Sequence, residues 1–313
     1  MASASQARCQ RALSIVPADE MRRLALSREL PQPINTHPFL MIAEVKLASP
    51  SEGVLRAIPP QPAGPYVPST PLLSRGDPLP ANSIINEVIK QARLYEANDA
   101  GLISVLAEPL RFGGDLSHVA KAAASVRTPV MRKDFLVSPY QIYESRAVGA
   151  QAVLLIVRML DDRVLQQMID AAAECGMLVI LEVFTDSDVT RAQRWVLGHG
   201  AEPSGYPQIC IGVNTRDLST LKVNPLRLEE LIPVSSPKVP WIAESGLHTP
   251  EDVTRAVALG YSGALIGSAL MKSSDPGSLC RQMAFAGQTA AVSRLVARKQ
   301  AERSSLDEPG ANS

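Results

Sequence analysis

The chain has 313 residues, enough for one large domain or two ordinary ones, and its 46% of hydrophobic residues is normal for a soluble globular protein. Lys and Arg together number 31, as do Asp and Glu, so the formal net charge is zero. A nucleic-acid scaffold usually has a basic excess, so this balance argues against one. The sequence contains no run of 18 apolar residues, which predicts no membrane span.

The four cysteines and four histidines are scattered along the chain, without a CxxC pair or any other metal-ligand spacing. Because a zinc site needs grouped ligands, we expect no metal and no disulfide framework. Unpaired cysteines are typical of a reducing compartment. We therefore expect a cytoplasmic protein, with a plastid as the alternative.

The N-terminal segment, residues 1–38, is predicted to carry one extra helix ahead of the main domain. Its first 17 residues contain arginines and serines but no acidic residue. This pattern is typical of a short disordered start, or alternatively of a transit peptide. Residues 18–30 place apolar side chains at helical spacing and predict the extra helix.

From residue 39 the chain alternates between apolar, β-rich runs and amphipathic stretches of helical period. The apolar runs are 39–45, 102–106, 130–132, 152–156, 178–183, 209–213, 239–243 and 264–266. The predicted helices that follow them are 84–98, 116–126, 140–148, 160–175, 186–195, 225–231, 249–259 and 276–299. Three helices begin with a capping residue before a proline, namely Ser138, Thr249 and Asp275.

Apolar strands that alternate with helices predict a parallel sheet covered on both faces. Eight such units over about 250 residues match a TIM (β/α)8 barrel. A doubly wound open sheet is the alternative, but the glycine-rich phosphate turn that such a sheet usually carries is absent from the sequence. We therefore predict an α/β protein with a TIM barrel fold over residues 39–300.

Two other segments are set apart by composition. Eight of the 25 prolines lie between residues 59 and 80, which predicts a long insertion, 57–82, in the first βα loop. This insertion is either an enlarged active-site lid or a tolerated surface insertion. The polar segment 301–313 is predicted to be a disordered tail.

Ionisable and amide side chains follow five of the eight predicted strands. Because a TIM barrel performs its chemistry where its strands end, these groups should meet at one rim. They are Glu44 and Lys46 after the first strand, Lys133 after the third, Glu182 after the fifth, Asn214 and Arg216 after the sixth, and Glu244 after the seventh. Repulsion between the two lysines should lower the pKa of one of them, and the mixture of acids and bases suits proton transfer.

The ends of the last two predicted strands carry Ser245-Gly246 and Gly267-Ser268. The loops after strands seven and eight of a TIM barrel commonly bind phosphate, and glycine lets backbone N–H groups come close to it. This pair therefore predicts a phosphorylated substrate. Phe112 and Leu154 lie beside the same rim, where they form either an apolar slot or ordinary core.

The residues at these strand ends belong to strings that resemble one known family, indole-3-glycerol phosphate synthase. The strings are AEVKLASPSEG, SVLAEPLRFGG, VMRKDFLV, AVLLI, LEVF, IGVNTRDL, IAESGL and ALIGSAL, in that order between about residues 40 and 275. The resemblance implies a TIM barrel with an extra N-terminal helix, and an enzyme that closes the pyrrole ring of indole in tryptophan biosynthesis. The implied reaction converts 1-(2-carboxyphenylamino)-1-deoxyribulose 5-phosphate into indole-3-glycerol phosphate, carbon dioxide and water, with no cofactor or metal.

The resemblance also implies roles for the catalytic side chains. Lys133 is similar to the family's general acid on the ribulose carbonyl, and Glu182 to the carboxylate that stabilises the cationic intermediate and assists proton removal. Glu44 and Lys46 resemble the pair that acts in the later dehydration and in substrate binding. Asn214 resembles a residue that orients the substrate.

The remaining site residues implied by the resemblance bind the substrate. Ser49 and Arg216 are expected near the anthranilate carboxylate and the ribulose hydroxyls, and Phe112, Leu154 and Leu218 around the anthranilate ring. The full expected substrate-binding set is Ser49, Phe112, Leu154, Arg216, Leu218 and Glu244, and the expected phosphate-binding set is Ser245, Gly246, Gly267 and Ser268.

The chain departs from the family pattern in three places. Leu47 stands where many members have a basic residue, and the segment after the first strand is longer than the family's first βα loop. Glu108-Pro109 differs from the acidic pattern that is commoner in the family before Phe112. One rival is phosphoribosylanthranilate isomerase, whose acid and base are a Cys and an Asp, but no cysteine ends the first strand here. A catalytically silent scaffold barrel is the other. The expected partner is a small phosphorylated substrate, without nucleic acid or membrane; association with other tryptophan-pathway enzymes is left open.

Overall fold

The computed structural model describes residues 1–49, 53–54, 83–199, 208–217, 220–232 and 239–306. Ten strands lie in these residues: β1 (Leu40–Val45), β2 (Ala48–Ser49), β3 (Gly53–Val54), β4 (Leu102–Leu106), β5 (Val130–Lys133), β6 (Ala152–Ile156), β7 (Leu178–Val183), β8 (Gln208–Asn214), β9 (Trp241–Glu244) and β10 (Gly263–Ile266). Eight of them form a closed parallel barrel, in which β1 pairs with both β4 and β10. β2 and β3 form a separate antiparallel pair. The predicted TIM barrel and all eight of its strands are confirmed.

Helices cover the outside of the barrel. Those described are α1 (Ala2–Ile15), α2 (Ala18–Leu26), α3 (Ser83–Glu96), α4 (Pro109–Phe112), α5 (Leu116–Ser125), α6 (Pro139–Ala147), α7 (Asp162–Glu174), α8 (Asp186–His199), α9 (Arg227–Glu230), α10 (Pro250–Leu259), α11 (Ser268–Lys272) and α12 (Pro276–Leu306), with a 3-10 turn at Val157–Met159. The three predicted caps are confirmed, because Ser138, Thr249 and Asp275 each accept a hydrogen bond from a backbone N–H of the first turn. In the part of the chain that the structure describes, no helix has the length and apolar character needed to cross a membrane.

The side chains of each barrel strand alternate between two cores. In β1, Leu40 and Ile42 belong to the cluster inside the barrel, whereas Met41 and Ala43 belong to the larger cluster between strands and helices. Both sets are almost completely buried, so the strands are apolar on both faces, as parallel strands in α/β proteins usually are. The alternation has a period of two residues, so it continues to the last residue of each strand and determines which side chains reach the barrel mouth.

The N-terminus differs from the expectation of a disordered start, because residues 2–15 form α1. The helix packs on the barrel: Cys9 is buried in a cluster with Met21, Tyr140 and Ala147. The composition of the segment did not predict this helix, because the helix is stabilised by tertiary packing and has little amphipathic pattern of its own. The predicted extra helix over 18–30 is present as α2, which ends at Leu26.

Two of the predicted segments compare with the described residues in different ways. The predicted insertion, 57–82, lies outside them. At the C-terminus, α12 continues through Leu306, six residues beyond the predicted end of the barrel at 300. The division into an N-terminal segment, a barrel and a tail stays a prediction.

Candidate active site

A pocket opens at the mouth of the barrel, where the strands end. Thirteen of the fifteen predicted site residues line it: Glu44, Lys46, Phe112, Lys133, Leu154, Glu182, Asn214, Arg216, Glu244, Ser245, Gly246, Gly267 and Ser268. Of the other two, Ser49 lies in β2, where only its backbone is described, and Leu218 lies outside the described residues. The rim thus brings together side chains that are up to about 220 residues apart in the chain.

Strand alternation explains why the polar groups face this pocket. Leu40 and Ile42 point into the barrel, so Glu44 points the same way one step further along β1. By the same alternation, Glu182 follows the inward-facing Ile180 in β7, and Glu244 follows the inward-facing Ile242 in β9. Each of these strands fills the barrel interior with apolar side chains and then places one acid at its open end.

Glu44 lies between the two lysines of the site. Its Oε1 is 3.2 Å from Lys46 Nζ, and its Oε2 is 3.9 Å from Lys133 Nζ. Burial alone would raise the pKa of Glu44, but the charges of Lys46 and Lys133 outweigh it and lower this pKa. Glu44 is therefore ionised at neutral pH and bridges two ammonium groups.

The expected lowering of one lysine pKa does not occur at Lys133. Burial acts to lower its pKa, but the charges of Glu182 and Glu44 reverse the effect, and the pKa is raised. Acidic groups outnumber basic ones around this nitrogen, which a count of lysines on the rim does not reveal. Lys133 therefore keeps its proton throughout the neutral pH range and is available as an acid.

A second polar group lies across the mouth. Asn214 Nδ2 donates to Glu182 Oε1 at 2.6 Å, and Asn214 Oδ1 accepts from the backbone N–H of Arg216 at 2.8 Å. These two bonds define which way the Asn214 amide points, so Glu182 is held by a neutral donor. The Arg216 guanidinium donates to the carbonyl of Leu221 at 3.1 Å, and this bond holds it at the edge of the pocket.

Glu244 is a buried acid of a different kind. Only 1% of the residue is exposed, and neither carboxyl oxygen accepts a hydrogen bond from any described residue. Burial, and next the charge of Glu182, raise its pKa well above the ordinary value, so Glu244 holds its proton more tightly than an exposed glutamic acid does. Gly212 faces it, and a Cβ on Gly212 would overlap Glu244 Oε1 and lie 2.9 Å from Ile180 Cγ2.

The two predicted phosphate loops lie side by side beyond this acid–base cluster. Ser245 and Gly246 both have left-handed φ values, 66° and 74°, and the hydroxyl of Thr215 donates to the Ser245 carbonyl at 3.0 Å. On the other loop, Ser268 Oγ accepts from Lys46 Nζ at 3.0 Å. Lys46 therefore contacts Glu44 and the second loop at once, which links the phosphate side of the pocket to the acid–base side.

An aromatic wall closes the opposite side of the pocket, and sequence reasoning found only part of it. The rings of Phe112 and Phe135 lie 6.3 Å apart with a tilt of 54°, and Leu154 and Ile156 line the pocket beside them. Phe135 and Ile156 were not predicted. Phe135 stands two residues beyond Lys133, so the period-two alternation carried past the end of β5 signals it.

Glu108 is a further residue that sequence reasoning missed. Its buried carboxylate accepts hydrogen bonds from the backbone N–H groups of Leu110, Arg111 and Phe112, and so caps α4. An acid followed by proline is the same signal that identified the other caps, so the sequence does contain it. The cap determines where the turn begins and therefore where the Phe112 ring lies.

These features define a class of protein: a TIM-barrel enzyme with a phosphate-type cradle and a set of paired acids and bases around an aromatic slot. Comparison with known proteins gives the family. A family model described as indole-3-glycerol phosphate synthase matches residues 80–283, more than half of the chain. The chain belongs to the indole-3-glycerol phosphate synthase family.

Curated relatives agree with the family model. The chain is 39% identical over 243 residues to the indole-3-glycerol phosphate synthase of a Nocardioides species, covering 78% of this chain and 79% of the relative. It is 36% identical over 279 residues to that of Salinibacter ruber, covering 88% and 86%.

Two solved structures share the fold at low sequence identity. Thiamine phosphate pyrophosphorylase from Pyrococcus furiosus matches with a TM-score of 0.51 at 12% identity, over 82% of this chain and 98% of the other. 3-Hexulose-6-phosphate synthase from Salmonella typhimurium matches with a TM-score of 0.53 at 13% identity, over 80% and 100%. At these identities the likeness concerns the barrel alone.

Proposed function

We propose that the pocket at the barrel mouth performs the ring closure of this family, with Lys133 as the acid and Glu182 as the carboxylate that receives the developing charge. The chain is a carboxy-lyase of tryptophan biosynthesis that forms indole-3-glycerol phosphate from a small phosphorylated substrate. One observation supports the residue assignment most directly: Glu44 contacts both Lys46 and Lys133 at distances below 4 Å, beside the two phosphate-type loops.

Substrate binding is assigned to opposite ends of the pocket. Ser245, Gly246, Gly267 and Ser268 take the phosphate, and Lys46 contributes a positive charge next to Ser268. The anthranilate ring lies in the slot that includes Phe112 and Leu154, while Arg216 is near its carboxylate. Binding the remote phosphate positions the two reacting carbons without adding charge at the centre where carbon dioxide must leave.

Ring closure begins when the ammonium of Lys133 gives its proton to the ribulose carbonyl oxygen. The ring carbon that bears the carboxylate attacks the carbonyl carbon, and the aniline nitrogen takes on positive charge. Glu182, held by Asn214, stabilises that cation. The carbon–carboxylate bond then breaks, carbon dioxide leaves, and its electron pair restores the aromatic ring. Each positioned acid or base of this kind contributes about 10²–10⁴-fold to the rate.

The last step removes water and needs a second acid and a base. Lys46 protonates the leaving hydroxyl, and a carboxylate takes the proton from the neighbouring methylene carbon, which gives the indole double bond. Glu44 lies 3.2 Å from Lys46 and couples it to Lys133. The raised pKa of Glu244 favours its protonated form, which can donate a hydrogen bond to the Glu182 carboxylate or to the substrate, so we assign it to binding rather than to proton removal.

Compartment and further partners are part of the same proposal. The relatives described above are bacterial, which favours the cytoplasm and gives no support to the plastid alternative. The absence of a nucleic-acid partner and an association with other tryptophan-pathway enzymes stay predictions. No observation in the described residues favours the rival isomerase or a silent barrel, because every predicted acid and base that is described lines the pocket.

The experiment follows indole-3-glycerol phosphate formation by the fluorescence of the new indole ring. Lys133→Met should lower kcat by about 10²–10⁴-fold while circular dichroism stays unchanged. Lys90→Met is the matched control, since Lys90 lies on α3 with 71% of its side chain exposed. A folded wild type without activity would point to a silent barrel, and an active Lys133→Met variant would exclude Lys133 as the acid.

A further inference from the structure

The N-terminal helix reaches the active site through one side chain. The guanidinium of Arg8, on α1, forms two hydrogen bonds with the Asp134 carboxylate, at 2.7 Å and 3.0 Å. Asp134 follows Lys133 directly in the chain, and its side chain is completely buried. A two-pronged guanidinium–carboxylate contact is strong and directional, so it constrains the backbone that bears Asp134.

Arg8 also contacts the strand next to Lys133. Its Nη1 donates to the carbonyl of Ala107 at 3.4 Å, at the end of β4. The backbone N–H of Ala107 in turn donates to the carbonyl of Lys133 at 3.0 Å. Arg8 therefore holds Lys133 from two sides, through the next residue along the chain and through the neighbouring strand.

The ionic cluster around Asp134 explains why the contact is specific. Asp134 Oδ2 also accepts from Arg132 Nη2 at 2.9 Å, and Arg132 Nη1 bonds Glu144 of α6 at 2.7 Å. Although burial would raise the pKa of Asp134, Arg132 and Arg8 together lower it. Loss of Arg8 would leave this buried carboxylate with one guanidinium and the Phe135 N–H, so Asp134 would shift to recover a partner.

We propose that Arg8 is a positioning residue, by which helix α1 holds the ends of β4 and β5 so that the Lys133 ammonium reaches the reacting carbonyl. The inference rests on the proposed acid role of Lys133 and adds to it a residue outside the barrel. Arg8 touches no residue of the phosphate loops in the described structure, so its loss should affect the chemical step more than binding.

The test compares four variants with the wild type in kcat, KM and melting temperature. Arg8→Met should lower kcat by about 10- to 100-fold with KM little changed, because a displacement near 1 Å can cost 10²-fold. Arg8→Lys should recover part of the loss, since an ammonium keeps the charge but cannot form the paired contact. Arg11→Met removes an exposed charge from the same helix, and Arg22→Met removes an ion pair between α2 and Glu174. Both controls should keep the wild-type kcat.

A second measurement does not depend on activity. Competitive acylation, read for each lysine by mass spectrometry, reports how readily Lys133 loses its proton relative to exposed Lys90. Arg8→Met should make Lys133 severalfold more reactive, because its ammonium moves away from Glu182 and Glu44. If Arg8→Met does not fold, the same comparison is made on Arg8→Lys.

The outcomes separate the two proposals. A kcat loss matched by Arg22→Met would mean that α1 and α2 stabilise the barrel in general, and would overturn the positioning role. Unchanged acylation of Lys133 in the Arg8 variants would overturn it as well, whatever their kcat. A wild type that forms no product would refute the proposed function, while the acylation result would still decide whether Arg8 positions Lys133.

Discussion

Glu44 is, after Glu182, the acid whose charge most raises the pKa of Lys133, so neutralising it should change how the enzyme responds to pH. Its carboxylate lies 3.2 Å from Lys46 Nζ and 3.9 Å from Lys133 Nζ. At an effective dielectric constant of 20, these distances correspond to attractions of about 5 and about 4 kcal/mol. Glu44→Gln keeps the shape of the side chain and removes both attractions.

The sign of the effect follows from Lys133. Its pKa is raised in the folded protein, so the wild type keeps this proton to high pH. Without the charge of Glu44, Glu182 is the main acid left to oppose burial, which favours the neutral amine. An opposite charge at this range typically accounts for about one to three pH units. The alkaline limb of kcat should therefore move to lower pH by about that amount, in addition to any loss of rate at neutral pH.

The assay is a kcat profile between about pH 7 and 11.5 for the wild type, Glu44→Gln and one control, so that it reaches the range in which the variant should lose the Lys133 proton. Glu87→Gln is that control, because Glu87 pairs with exposed Lys90 at 3.8 Å and lies outside the pocket. A Glu44→Gln profile parallel to that of the wild type would refute the reasoning, since it would mean that Glu44 does not hold the proton on the catalytic acid.

Two further predictions concern residues of the pocket wall. Glu108→Ala removes the acceptor for three backbone N–H groups, so it should cost about 1–2 kcal/mol of stability and raise KM as the Phe112 ring loses its position, and thermal unfolding with steady-state kinetics tests both. An unchanged KM would show that the cap does not place the ring. Glu244→Gln should melt higher than the wild type at about pH 8 but not at about pH 4, because the folded protein loses stability as pH rises above the ordinary pKa of 4.5 of an acid whose pKa is raised by folding. A gap in melting temperature that stays constant with pH would contradict the raised pKa of Glu244.

The local sequence pattern was sufficient to predict the barrel and most of the residues at its mouth. Strand runs such as 152–156 and 178–183 match β6 and β7 residue for residue, because a strand buried on both faces reads as an unbroken apolar run. Period-two alternation then determines that Glu44 and Glu182 face inward. The helix caps at Ser138 and Thr249 were equally predictable from the sequence, since capping depends on the residue and its next three neighbours.

Only the tertiary structure decided the properties that depend on distance between remote parts of the chain. The sign of the Lys133 pKa shift depends on Glu182 and Glu44 lying around one nitrogen, which no local pattern encodes. Arg8 of helix α1 and its partner Asp134 are 126 residues apart in the chain. The helix that carries Arg8 is stabilised by packing rather than by its own sequence pattern. Periodicity therefore specifies which side of a strand a residue occupies. The charge around a buried group and the packing of a helix depend instead on residues from distant parts of the chain, which only folding brings together.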